Sequence, residues 1–188
     1  IDKLIVATNQ NDILHRAISK GSYEAEKVSE TISPSMDIQI ASNFERLIFD
    51  LNNGDDQQTS LDMKNIKEKG QYLINDDKLN KISENFLSAR MSEDETLEVI
   101  KNVHEKFAVV LDPHTAIGYG AFDKHNLKGN NIVLATAHPC KFPGAIQSAI
   151  NVKAELPNEL TFVLDQKENY DIVENDIEKV KQHIKDRT

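Results

Sequence analysis

Only one cysteine, Cys140, stands in the 188 residues, so no disulfide can close within the chain, and the usage fits a reducing compartment. No uninterrupted apolar run approaches the roughly 20 residues that a membrane-spanning helix needs. Basic residues are short as well: 22 Lys+Arg face 31 Asp+Glu, a net charge of −9. They are scattered rather than striped, so a nucleic-acid backbone would be repelled over most of the surface. The six histidines, at positions 15, 104, 114, 125, 138 and 183, show no H-E-x-x-H or other paired-ligand spacing, and no metal site is expected. There is no repeat and no low-complexity tract. No charged-then-apolar leader precedes the first apolar run, which with the single thiol points to the cytoplasm. A starting methionine is missing too. The chain opens IDKLIVATNQ and reaches a strand-like run within three residues, which sets the expectation of a piece cut from something longer.

What is present alternates. KLIVATN (3–9) has the short apolar run of a buried strand, and NDILHRAISKG after it has helical spacing at Ile13, Leu14 and Ile18, closed by Gly21. SPSMDIQIA (33–41) reads as a turn at Pro34 leading into a strand-like stretch. SNFERLIFDLNNG places Ser42 and Glu45 as a capping box ahead of an apolar face of Phe44, Leu47, Ile48 and Leu51. Residues 55–107 turn polar and helical: Leu79, Ile82 and Phe86 form one stripe, while Ser92 and Glu95 cap a second helix carrying Leu97, Ile100, Val103 and Phe107. The spacing predicts a helical insertion without a strand. Asp112 and Pro113 open a further helix. NIVLATA (131–137) reads as a second buried strand, PGAIQSAI as a short helix, LTFVLD (160–165) as a third strand, and Val173, Ile177, Val180 and Ile184 line a last amphipathic helix. This is the pattern of an α/β open sheet with flanking helices around one insertion. The expected division is 1–150 for the main α/β part and 151–188 for a terminal strand and helix.

In open α/β sheets ligands collect beyond the carboxyl ends of the strands, and Thr136 sits there after NIVLA. SPSMD and DPHT fall at comparable junctions, so three polar clusters are candidates to meet at one place. Each has a plain structural explanation: a threonine ending a strand is usually a satisfied turn residue, Asp112 and Pro113 are accounted for as a helix start, and Glu45 as a cap. Cys140 reads as a small apolar residue. Lys141 reads as a surface or anion-contacting cation, its use as a Schiff-base amine requiring a desolvated pocket.

Taken together, IVATNQNDILHR (5–16), SPSMDIQIASNFERLIFDL (33–51), LDPHTAIG (111–118) and LATAHPCKFPGA (134–145) closely resemble the threonine synthase family of bacterial and fungal type, in that family's order and spacing. The resemblance covers residues 1 to about 150 and is weakest between 55 and 90. It implies the tryptophan-synthase-like fold (fold type II), pyridoxal phosphate as cofactor, and conversion of O-phospho-L-homoserine and water to L-threonine and phosphate. Thr136 would meet the pyridine nitrogen through a neutral hydroxyl that leaves the ring unprotonated. Asp112 would lie at the cofactor, with His114, Thr115 and His138 behind it. Ser33, Ser35 and Asp37 would line the substrate side, and Arg46 and Lys141 are the cations for the substrate phosphate, since a leaving dianion needs preorganised positive charge. The family's Schiff-base lysine, in a serine-phenylalanine-lysine string, and its Gly-rich phosphate loop are absent from this sequence. The resemblance places both upstream of Ile1, so these residues alone are expected to be inactive. A serine or threonine dehydratase on the same fold, or a non-enzymatic helical module whose acidic insertion and terminal helix bind a protein partner, are the competing readings.

Overall fold

Leu4–Thr8 forms β1, and its partner comes from far along the chain: β4, Phe86–Arg90, lies parallel to it, with Leu4 opposite Phe86 and Thr8 opposite Arg90. The computed structural model describes residues 1–188 and divides them into two compact units, Ile1–Ala154 and Glu155–Thr188. No helix is long and apolar enough to cross a membrane.

Between β1 and β4 run α1 (Ile13–Lys20), β2 (Ser22–Glu24), a 3-10 turn at Pro34–Met36, α2 (Phe44–Leu51), α3 (Asp56–Lys69), β3 (Gln71–Leu73) and α4 (Asp76–Asn85). β2 and β3 pair antiparallel. The predicted face of α2 is the one buried: Phe44, Ile48 and Leu51 join Ile13, Ala17, Ile18, Tyr23, Ile66 and Ile82 in the first core. Tyr23 stacks on Phe44 at 5.0 Å between ring centres, and its hydroxyl accepts from the Ala41 amide at 2.8 Å. Gly21 ends α1 in the left-handed region (φ 71°), where a Cβ would come 2.7 Å from the Ile74 carbonyl oxygen. Only glycine meets both demands.

β4 is followed by α5 (Glu93–Phe107), α6 (Pro113–His125) and α7 (Pro143–Ile150). The expected capping box of α5 is formed, Ser92 accepting from the Glu95 amide and Glu95 from the Ser92 amide. Ile100, Ala116 and Ile146 make a second core where these helices meet. α6 approaches closely because Gly120 has no side chain; a Cβ there would stand 2.3 Å from Met91 Cε.

Several expectations are corrected. Ser42 and Glu45 form no capping box: α2 starts after Asn43, and the Phe44 and Arg46 amides donate instead to the Ala41 and Asn43 carbonyls. The insertion holds β3 and β4, so it supplies half of the parallel pair. Phe86, counted on a helical stripe, is in fact the extended residue that ends α4 and begins β4. SPSMDIQIA carries a 3-10 turn and no strand. NIVLATA forms no ladder; nothing within the chain pairs with it, and Ile132 and Leu134 are exposed. An apolar run signals a demand for cover, whereas a strand also needs a neighbour.

In the second unit, residues 158–165 wind as a 3-10 helix rather than a strand, with the Leu160 amide donating to the Pro157 carbonyl at 2.8 Å. The terminal helix α8 spans Ile177–Lys185, capped by Asp176, and Val173 falls before it. No side chain of this unit is buried.

Candidate active site

The carboxyl end of β1 leads into Asn9 and Asn11, both buried. Their amides gather the loop that carries SPSMD. Asn9 Nδ2 lies 2.9 Å from Thr31 Oγ1, 3.0 Å from Ser33 Oγ and 2.7 Å from Asp37 Oδ1. Asn11 Nδ2 donates to Asp37 Oδ1 at 3.0 Å, and its Oδ1 accepts from the Ser29 amide at 2.8 Å. Asp37 also accepts from the Thr31 hydroxyl at 2.6 Å and the Thr31 amide at 2.8 Å. A carboxylate with that many donors is an anchor for its own loop. Ser33, 1% exposed, is likewise spent inside. Of the three polar residues expected on the substrate side, Ser35 alone keeps an exposed side chain. The loop is tied to α5 as well, the Ile32 amide donating to Glu93 Oε1 at 2.9 Å.

The second cluster is the start of α6. Asp112 accepts from the His114 amide at 2.9 Å and the Thr115 amide at 3.4 Å, the N-cap expected from its position. Its carboxylate is 1% exposed, so both oxygens serve the chain itself: Oδ1 faces His114 Nδ1 at 3.0 Å, and Oδ2 accepts from the Thr115 hydroxyl. From here two contacts reach out. His114 Nε2 accepts from the Ser35 amide at 3.3 Å, and Thr115 Oγ1 accepts from the Thr136 amide at 3.1 Å. The His114 ring also rests on Phe142, with centres 4.7 Å apart.

SPSMD, DPHT and ATAHP therefore do converge. Thr136 is held by its backbone while its hydroxyl is exposed and makes no hydrogen bond within the chain. His138 caps the short 3-10 turn Pro139–Lys141, its Nδ1 accepting from the Cys140 amide at 3.2 Å. Lys141 follows, exposed and in no ion pair. Arg46 is not joined to this cluster by any hydrogen bond. It lies on α2 in an open groove lined by Ser42, Glu45, Phe49, Asp50 and Thr59, where two carboxylates sit beside it. Beyond β4, Lys124 Nζ donates to Glu95 at 2.7 Å and to the Arg90 carbonyl at 2.8 Å. That ammonium, with the Ser92 amide, holds the Glu95 carboxyl below its ordinary range. The strand end is thereby fixed to α5 and α6.

Sequence reasoning missed Asn9, Asn11 and Thr31. The signal was in plain view: two asparagines two apart, directly beyond the carboxyl end of a strand, where short polar side chains fold back on loops.

With this geometry in hand, the likeness to known proteins can be placed. Residues 115–184 match the family model described as threonine synthase, C-terminal. Threonine synthase of Pseudomonas aeruginosa is 36% identical over 98% of this chain and 40% of its own length. A crystal structure of PLP-bound threonine synthase from Brucella melitensis superposes with a TM-score of 0.86 at 39% identity, over 99% of this chain and 40% of that one. For threonine synthase from yeast the TM-score is 0.82 at 37% identity, over 98% and 42%. The chain is thus related to threonine synthases along nearly its whole length, has the mixed α/β fold of the matching part of them, and spans about 40% of the length of the relatives it matches.

Proposed function

We propose that this chain works as the C-terminal portion of a threonine synthase, a pyridoxal-phosphate-dependent lyase that converts O-phospho-L-homoserine and water to L-threonine and phosphate in the cytoplasm. The observation that supports it most directly is Thr136: its amide is pinned by Thr115 of the DPHT segment, whose His114 in turn holds Ser35 of SPSMD, while its hydroxyl makes no hydrogen bond within the chain. A fixed backbone with an unspent, neutral hydroxyl fits a pyridine nitrogen. The donor set suits the group, because the hydroxyl can meet the ring nitrogen without a negative charge that would force protonation.

When bound, pyridoxal phosphate supplies the electron sink for breaking bonds next to the amino-acid carbon. The chain's own residues orient and discriminate. Ser35, at the tip of a loop anchored by Asn9, Asn11 and Asp37, faces the substrate from one side. Lys141, with no carboxylate partner, is the cation we assign to the leaving phosphate, where a charge-assisted contact gains most. Arg46 is the lesser candidate, because Glu45 and Asp50 line its groove. The Schiff-base lysine is assigned to residues outside this chain.

The test is pyridoxal phosphate binding by the full-length protein, followed by absorbance and by product formation from O-phospho-L-homoserine. Thr136→Val is expected to weaken cofactor binding about tenfold or more, the loss of one buried hydrogen bond, and Thr136→Ser to restore it. With the 188 residues alone, borohydride treatment should yield no stoichiometric lysine adduct. A single adduct on Lys141 would overturn the reading.

A further inference from the structure

We propose that Asp112 is a positioning residue that sets both walls of the site through two arms of fixed proton direction. The inference deepens the proposed function and rests on it for the kinetic half of its test. An ionised carboxylate only accepts. On one arm, Asp112 Oδ2 therefore takes the single proton of the Thr115 hydroxyl, leaving Thr115 Oγ1 as the acceptor for the Thr136 amide at 3.1 Å. On the other, Asp112 Oδ1 takes the proton on His114 Nδ1, so Nε2 keeps a lone pair, and that lone pair accepts the Ser35 amide at 3.3 Å. Phe142 packs against the imidazole, its ring centre 4.7 Å away and its plane tilted by 54°.

The same buried group thus decides where Thr136 stands, on the cofactor side, and where Ser35 stands, on the substrate side. Neither Asp112 nor His114 need touch a ligand, and both are more than nine-tenths buried. The tautomer of His114 is the signature. A histidine that merely filled space would have no reason to carry its proton on Nδ1 and none on Nε2.

Long-range proton–nitrogen correlation spectra of the full-length protein at neutral pH should show His114 protonated at Nδ1 and bare at Nε2. The reverse tautomer would overturn the proposal whatever the enzyme does. In the full-length protein, Thr115→Val should weaken pyridoxal phosphate binding about tenfold, with Thr115→Ser restoring it, while KM for O-phospho-L-homoserine is unchanged. His114→Phe should raise that KM about tenfold with cofactor affinity unchanged, each being the worth of one well-placed hydrogen bond. If both variants move both quantities together, the two arms do not act separately and the proposal fails. If the wild-type protein has no activity on O-phospho-L-homoserine while the tautomer is as stated, the proposed function fails and the positioning of Ser35 and Thr136 stands.

Discussion

Residues 1–154 and 155–188 both contain helices with apolar residues at helical spacing, yet they use it differently. In the first unit the stripe of α2 vanishes into a core: Ile48 is 0% exposed. In the second, the stripe of α8 faces outward, with Ile184 at 55%. The lesson is that periodicity reports which face wants cover and says nothing of where the cover comes from. A core is a property of at least two elements brought together, and the terminal unit has only one long helix and an exposed 3-10 segment of its own.

The contrast can be broken most directly by truncation. Ile48→Ala should cost about 2–5 kcal/mol in chemical denaturation of the 188-residue chain, the range for deleting a fully buried isoleucine side chain. Ile184→Ala should change stability by less than about 0.5 kcal/mol. Equal costs would mean that the terminal stripe is covered in solution. A smaller effect is expected at the approach of α6: Gly120→Ala drives a Cβ into Met91 and should cost about 1–3 kcal/mol by overpacking.

The smallest effect is electrostatic. Glu95 has a carboxyl pKa held down by Lys124 and the Ser92 amide. A depressed carboxylate contributes stability that is present above its ordinary pKa of 4.5 and lost as pH falls below it through the folded value. With a side chain 43% exposed, screening limits the gain to several tenths of a kcal/mol. Glu95→Gln should therefore flatten the acid limb of the stability curve slightly and leave the neutral region lower by that amount.

How much could be read from the sequence follows the same division. Most signals complete within a few residues were legible: the Ser92–Glu95 box, the Asp112–Pro113 helix start, Gly21 at the end of α1; the Ser42–Glu45 box, equally local, is the exception, since α2 begins one residue later. Signals that need a distant partner were not. β4 was hidden because FLSAR follows a helix without a turn residue and Phe86 fits the helical stripe. NIVLATA was read as a strand because its composition fits one, though no ladder forms along it. At the site, the polar strings SPSMD, DPHT and ATAHP were visible, but their roles were not. Asp37 and Ser33 are consumed by Asn9, Asn11 and Thr31, a competition for hydrogen bonds that no spacing rule weighs.

The pairing of β1 with β4 also has a meaning in time. Leu4 meets Phe86 and Thr8 meets Arg90, so β1 leaves the ribosome about 82 residues ahead of the strand it pairs with here. At roughly 5–20 residues per second, that is an interval of roughly 4 to 16 seconds in which β4 cannot yet cover the apolar LIVAT stretch. Of the two strand pairs in this chain, that of β1 with β4 is therefore the one whose first member waits longest for its partner.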